Sequence, residues 1–257
     1  MNFSFCRLDT CVSTNDEARS RAREGAPAGT VVVAREQTGG RGTKGRSWFS
    51  PREAGLYVSV VLRPGPDAAL SLLPLAAGLA ARGAVERTAG ILAKLRWPND
   101  IVWQGRKLGG ILCESGWSGF HSRYAIVGLG LNLNQDEGDF PEEWRSRAGS
   151  LRRASGRIID REAVLDAFLE ELQGAVAPLF EKRPAEVVEG FLLHAEAGPG
   201  EAVRLRTASG DIAGSFEGLD IDGAIRVRTA GGVRRFVSAE IISFGLDRAP
   251  SGGGFGV

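Results

Sequence analysis

Little in this sequence invites metal or disulfide chemistry. Its three cysteines, Cys6, Cys11 and Cys113, show no C-x-x-C or zinc spacing, so reduced thiols are expected rather than a disulfide framework. Histidine is rarer still. His121 and His194 are the only two, which argues against a histidine-built metal site. No apolar run approaches the ~20 residues of a membrane span. The segment from Met1 to Arg7 carries no signal-peptide pattern, so a cytoplasmic chain without membrane association is expected. Excess charge is missing too. The 32 basic residues face 31 acidic ones, a net charge of +1, and no nucleic-acid footprint extends over the whole chain.

What is present begins with length. With 257 residues, 43% of them hydrophobic, the chain can build one large domain, or a large and a small one, around a sizeable core. Its most distinctive stretch runs from Gln37 to Trp48 and reads Gln-Thr-Gly-Gly-Arg-Gly-Thr-Lys-Gly-Arg-Ser-Trp. Four glycines permit close approach to a ligand or left-handed backbone. Arg41, Lys44 and Arg46 bring converging positive charge, which with exposed backbone N–H groups suits anions, phosphate above all. The pattern is not a P-loop, because no Gly-Lys-Ser/Thr ends it. Nor is it a dinucleotide fingerprint, since the glycine spacing is wrong and no helix pattern follows. Read alone, such a stretch fits a solvated loop better than an anion site. Its neighbours reverse that.

Residues 3–8 read as an edge strand. Ser13 or Thr14 can cap a helix from about Asn15 to Glu24 with Asp16 and Glu17 in its first turn. The same small polar groups can instead line a polar pocket. Thr30 to Ala34 and Gly55 to Leu62 are β-branched, apolar strands flanking the glycine-rich loop, a hairpin whose loop is long enough to suggest a role. A core helix follows over residues 69–89. Leu92 to Arg96 is strand-like and runs into Trp97-Pro98-Asn99-Asp100, where proline stops the ladder and two side-chain oxygens are offered. Short strands at 101–103 and 106–114 lead to one at 124–134 with glycine at alternate positions. Glycine there weakens a strand and often marks close approach by a ligand. Residues 135–155 are polar and turn-rich. Asp160 caps an amphipathic helix through Leu172, reaching Phe180 with a disturbance at Pro178, and residues 184–194 form another. Beyond the linker Ala197-Gly198-Pro199-Gly200, short alternating strands separated by Ser209-Gly210, Asp222-Gly223 and Gly231-Gly232 read as a small all-β barrel.

Four segments together resemble one family. Ser13-Thr14-Asn15, the stretch 37–48, Trp97-Pro98-Asn99-Asp100 with Lys107-Leu108-Gly109-Gly110-Ile111-Leu112-Cys113-Glu114, and Gly128-Leu129-Gly130-Leu131-Asn132-Leu133 look like the motifs of biotin–protein ligases, in the family's order. The terminal barrel, with Gly218 to Ala224, resembles the family's SH3-like domain. The likeness covers roughly residues 8–246. It implies an α+β fold: a mixed-sheet catalytic domain with helices on one side over residues 1–197, an SH3-like barrel over 198–247, and a disordered tail over 248–257.

The resemblance also implies a chemistry. Ligases of this family use ATP and Mg²⁺ to make biotinyl-5′-adenylate, then pass biotin to a lysine of a biotin carboxyl carrier domain of acetyl-CoA carboxylase or a related carboxylase. The first step sets a carboxylate against the α-phosphate, so cations and donors must face the growing negative charge. By resemblance, Ser13, Thr14, Asn15 and Gln37 bind the biotin ureido ring. Arg41, Gly42 and Thr43 belong to the loop that closes over biotin and the phosphates. Lys107 is the first choice as catalytic cation, with Arg41 beside it. Lys44, Arg46, Trp48, Asn99, Asp100 and Asn132 fall on the nucleotide side, with Asp100 as the metal ligand. Trp48 serves equally as a pocket wall or a core aromatic. Trp144 is offered as an adenine lid.

Two departures stand out. The family loop usually reads Gly-Arg-Gly-Arg, and here Thr43 replaces the second arginine. Threonine supplies neither charge nor a bidentate fork, so a leakier adenylate is expected unless Lys44 or Arg46 substitutes. Arg96 stands where lysine commonly precedes Trp-Pro-Asn-Asp. The first motif starts at Ser13, so DNA binding through a preceding domain is not expected. Family members occur as monomers and as homodimers. Lipoate or octanoyl transfer, a non-catalytic biotin sensor and a nucleic-acid ligase are the rival readings. The Ser-Thr-Asn pocket, the Gly-Arg-Gly loop and the barrel favour biotin.

Overall fold

A computed structural model of the chain describes residues 1–118 and 122–244. His121 and the tail expected over 248–257 lie outside the described residues. The chain separates into two compact units, Met1–Glu196 and a second that begins at Ala197. Among the described residues no helix is long and apolar enough to cross a membrane.

The first unit runs β1 (Ser4–Cys11), α1 (Thr14–Arg23), β2 (Thr30–Gln37), β3 (Gly55–Leu62), α2 (Leu73–Ala89), β4 (Lys94–Arg96), β5 (Asp100–Trp103), β6 (Arg106–Ser118), β7 (Ser122–Asn132), α3 (Glu142–Arg145), α4 (Leu151–Ser155), α5 (Arg161–Phe180) and α6 (Pro184–His194). Its seven strands form one sheet in the order β1-β2-β3-β7-β6-β5-β4. β1 and β2 are parallel and the remaining pairs antiparallel, so the sheet is mixed. β1 is an edge strand and β2–β3 a hairpin, as their patterns predict. Helix α2 starts later than expected. Residues 70–72 form a single 3₁₀ turn, and proline in the first turn favours entry there. Gly90, at φ 70°, ends the helix. Asp160 caps α5 through Oδ1, which accepts from the N–H groups of Glu162 at 2.9 Å and Ala163 at 3.4 Å. Pro178 lies within α5 without breaking it.

Register divides the sheet into two faces, because successive side chains alternate. Ser59 pairs with Gly128, Tyr57 with Gly130, Gly110 with Gly130 and Leu112 with Gly128, so these residues share one face. Helix α1 packs at one end of it, where Ala18 and Ala22 meet Val32, Val61, Tyr124 and Ile126. The opposite face presents Val58, Val60, Val127, Leu129 and Leu131, all buried. Leu95, which pairs with Ile101, carries the contact to α2 at Gly78, and α5 packs on α2 and β3. The mixed sheet with helices agrees with expectation. Helices on one side is corrected in one respect: α2 and α5 cover the leucine face, whereas α1 sits on the glycine face.

The second unit is β8 (Ala202–Thr207), β9 (Gly210–Leu219), β10 (Ile225–Thr229), β11 (Gly232–Phe236) and β12 (Glu240–Phe244), antiparallel in the order β11-β10-β9-β8-β12. The three expected turns carry glycines at positive φ, Gly210, Gly223 and Gly232. Among the described residues β11 and β12 do not pair with each other, so the expected barrel is corrected to an open sheet. Val233, Arg234 and Arg235 of β11 are exposed, and a charged outer strand offers no apolar face for closure.

Candidate functional site

Gly110, Gly128 and Gly130 leave a strip of bare backbone on the glycine face. A Cβ on Gly128 would run into Asn15 Oδ1, and one on Gly130 into the indole of Trp48. These glycines therefore make room for side chains that lean over the strip.

At one end stands a buried polar cluster at the start of α1. Thr14 donates to Gln37 Oε1 from its backbone N at 2.8 Å and its hydroxyl at 3.1 Å. Gln37 Nε2 donates to Ser50 Oγ at 2.8 Å. Ser59 Oγ donates to Asn15 Oδ1 at 2.6 Å and lies 2.8 Å from Thr14 Oγ1. Asn15 Nδ2 donates to Leu112 O at 3.2 Å and Glu114 Oε2 at 2.8 Å. Gln37 is thus a brace between β2 and α1. Ser13 precedes the helix but makes no capping bond. The cap expected of the Ser-Thr-Asn stretch is not formed, and the side chains of Thr14 and Asn15 are bonded instead to Gln37, Ser59 and β6.

The glycine-rich stretch is a small hairpin rather than an open loop. Arg41 bridges Ser47, Gly42 N donates to Arg46 O at 2.7 Å, and Trp48 N to Gly40 O at 2.8 Å. Lys44 and Gly45 turn the tip at φ 58° and 72°. Gly40 is needed for packing, since a Cβ there would meet Ser50 Oγ at 2.6 Å. Arg41 leans toward α1, where Nη2 donates to Asp16 Oδ1 at 2.5 Å. Arg46 folds back on the tip, donating to Thr43 O at 3.3 Å and Thr43 Oγ1 at 3.2 Å. Lys44 is exposed.

At the other end, Lys107 Nζ sits 2.6 Å from Asp100 Oδ1 and 5.5 Å from the centre of the Trp48 ring. Trp48 Nε1 is buried without a hydrogen-bond partner. The backbone of Lys107 is clamped by the segment opposite: its N donates to Arg147 O at 2.7 Å, and its O accepts from Gly149 N at 2.9 Å. Asn132 holds the same segment, donating to Gly149 O at 2.9 Å. Asn99 Nδ2 donates to Ile111 O at 2.7 Å. Both asparagines are buried. Trp144 packs edge-on against Phe49 at 6.3 Å, with Phe140 6.4 Å from Phe49.

Arg41 and Lys107 therefore serve one face of one sheet. Arg41 reaches Glu114 at 3.5 Å and Lys107 packs over Gly110. Glu114 and Gly110 lie four residues apart on β6, ~13 Å along the strand, with Leu112 between them on the same face, paired with Gly128 of β7. Lys44 and Arg46 are not brought to this trough by any hydrogen bond described above. Ser59, Arg19, Ser50 and Gln135, whose Nε2 donates to Asn132 Oδ1 at 3.5 Å, belong to the surroundings and had no role in the sequence reading; Asp16 was read there only as a first-turn acid and Glu114 only as the end of a motif. A serine inside an otherwise apolar strand was the available signal for Ser59.

Known proteins match both units. Residues 10–132 match the model of the Biotin/lipoate A/B protein ligase family, and residues 200–243 that of the Biotin protein ligase C terminal domain. The bifunctional ligase/repressor BirA of Bacillus spizizenii is 37% identical over 241 residues, 91% of this chain and 72% of that one. The biotin--[acetyl-CoA-carboxylase] ligase of Paracoccus denitrificans is 35% identical over 91% of this chain and 97% of its own length. Among solved structures, biotin protein ligase from Aquifex aeolicus in complex with biotin and ATP superposes with a TM-score of 0.78 at 33% identity, covering 93% of this chain and 97% of that one. With two-thirds or more of each relative's length covered and a glycine-floored trough that unites the same motifs, the chain belongs to the biotin–protein ligase family.

Proposed function

We propose that this protein activates biotin with ATP and transfers it to a lysine of a biotin carboxyl carrier domain of a carboxylase. The observation that carries the reading is the shared face itself: a buried polar cluster at one end, Lys107 at the other, and Leu112, Gly128, Gly130 and the Trp48 indole between them. A cyclic urea with a carboxylate tail fits that sequence of surfaces.

The roles follow from chemistry. A buried urea must find both donors and acceptors, and Ser13, Thr14 and Asn15 supply hydroxyl and amide groups at the closed end. The carboxylate tail then runs toward Lys107. In the first half-reaction a biotin carboxylate oxygen attacks the α-phosphorus and pyrophosphate leaves. Lys107 neutralises the two approaching anions as a compact charge, exchanging Asp100 for them. Arg41 supplies a second cation from the hairpin. In the second half-reaction the acceptor amine attacks the acyl carbon, AMP leaves, and the amine's proton passes to solvent or phosphate. No covalent enzyme intermediate is needed.

Asn99, Asn132 and Trp48 form the nucleotide side in this reading. The unpartnered Trp48 Nε1 beside Lys107 is consistent with a polar ligand there. Among the described residues no group of three or more acidic, cysteine or histidine side chains could hold a metal ion. One carboxylate, Asp100, fits a Mg²⁺ held mainly by phosphate oxygens and water, which would supply charge neutralisation on the triphosphate. A cytoplasmic location accompanies this reading.

The test is transfer of labelled biotin to a purified carrier domain, with and without ATP, alongside pyrophosphate release with biotin or lipoate. Label in the carrier only when ATP is present, with pyrophosphate release for biotin alone, is expected. Release driven equally by lipoate would replace the biotin reading with a lipoyl one.

A further inference from the structure

Arg41 is held by an ionic ring that no catalytic step requires. Its Nη2 donates to Asp16 Oδ1 at 2.5 Å and lies 3.5 Å from Glu114 Oε2. Arg19, on the next turn of α1, grips the same two acids. Its Nη1 donates to Glu114 Oε1 at 2.8 Å and its Nη2 to Asp16 Oδ1. Two guanidiniums and two carboxylates thus alternate in a closed circuit. Asn15 Nδ2 joins it at Glu114 Oε2, which ties the ring to the polar end of the trough.

We infer that this ring parks Arg41 when no anionic ligand is bound, and that Arg19 is a positioning residue that sets how easily Arg41 leaves. The inference rests on the ligase reading, in which Arg41 serves the ligand's anionic end. When Arg41 moves to a ligand, Asp16 and Glu114 are left facing one another. Like charges at short range repel, and the only remaining ring cation is Arg19. Arg19 therefore lowers the cost of Arg41's departure without touching the ligand. Deleting Arg19 raises that cost and holds Arg41 in the ring. Deleting an acid does the reverse, because Arg41 then has less to give up. The two changes have opposite signs, which a purely structural role does not produce.

The experiment titrates full-length protein calorimetrically with biotin and with its neutral alcohol, biotinol. Arg19→Met is expected to weaken biotin binding about two- to fivefold, and Asp16→Asn to tighten it by a similar factor, the scale of a partly exposed ion pair. Arg19→Lys, which keeps the charge, returns affinity toward wild type. Biotinol affinity stays level in all three. If Arg19→Met does not fold, Arg19→Gln, which also removes the charge, takes its place against Asp16→Asn in the sign test. Shifts in the same direction, unchanged biotin affinity, or equal shifts for biotinol overturn the ring's role. Wild-type protein that binds neither ligand fails the ligase reading first, and the inference with it.

Discussion

The two faces of the seven-stranded sheet are made from alternate residues of the same strands, yet one is closed and the other open. On β7, Val127, Leu129 and Leu131 fill the face beneath α2 and α5 with their own side chains, whereas Gly128 and Gly130, one position away, leave their face to Asn15 and Trp48 from other elements. The difference teaches that the site is cut out of the sheet by omission. Side chains were removed from one parity and kept on the other. Stability and binding can therefore be damaged separately, and the largest expected effect lies on the open face. Lys107→Ala is expected to lower the rate of adenylate formation about 10²–10³-fold, the cost of losing one preorganised charge partner in a site, with little change in melting temperature. Pyrophosphate release at wild-type rate by this variant would remove Lys107 from the chemistry.

The comparison is sharpened by substituting neighbours of opposite parity. Gly130→Ala pushes a methyl group against Trp48. Trp48 belongs to a partly exposed hairpin and can yield, so the strain of about 1–3 kcal/mol falls on the ligand side. ATP affinity should drop about tenfold while melting stays nearly constant. Leu131→Ala, fully buried on the other face, should cost about 2–5 kcal/mol of stability and leave the affinity of the folded fraction unchanged. Denaturant melts paired with calorimetry read both. Equal losses of stability in the two variants would erase the distinction between faces.

A smaller effect is expected at the hairpin that leans over the open face. Thr43 accepts from Arg46 and offers no charge to a phosphate. Thr43→Arg should slow dissociation of the adenylate about tenfold, as one charge-assisted hydrogen bond would. Stopped-flow release of the preformed intermediate measures it, and an unchanged off-rate would mean that Arg46 or Lys44 already fills the role.

Much of this layout was legible in the sequence because it depends on local rules. Strand β3 was read at its observed bounds, since eight buried residues between turn signals leave one choice. The alternate glycines of β7 pointed to ligand approach before any fold was known. Other features were not legible because they depend on register. Whether Ser59 faces the leucine side or the polar cluster follows only from its pairing with Gly128. The ring of Asp16, Arg19, Arg41 and Glu114 joins three segments, none of which announces the others. The open second sheet was missed for a related reason: alternation predicts strands, not whether the two edge strands, here β11 and β12, meet.

The smallest effect distinguishes two thiols at separate places in the sheet, Cys11 at the end of β1 and Cys113 within β6. Burial raises the pKa of both Cys11 and Cys113, but the charges that assist differ. Cys11 is pushed up to about 11, first by burial and then by Glu17 and Asp16. Cys113 is pushed up by burial and then by Glu114. A thiol whose pKa is raised on folding contributes stability that is complete below the unfolded value. An ordinary thiol ionises near 9.0, so the unfolded chain ionises first and stability falls as pH climbs from about 9 toward 11. Cys11→Ala should flatten part of that slope. Alkylation of Cys11 should rise with a midpoint near 11, and Asp16→Asn should lower that midpoint while leaving the titration of Cys113 in place. An identical shift at both cysteines would mean that Asp16 acts through general loosening of the sheet rather than through its charge beside α1.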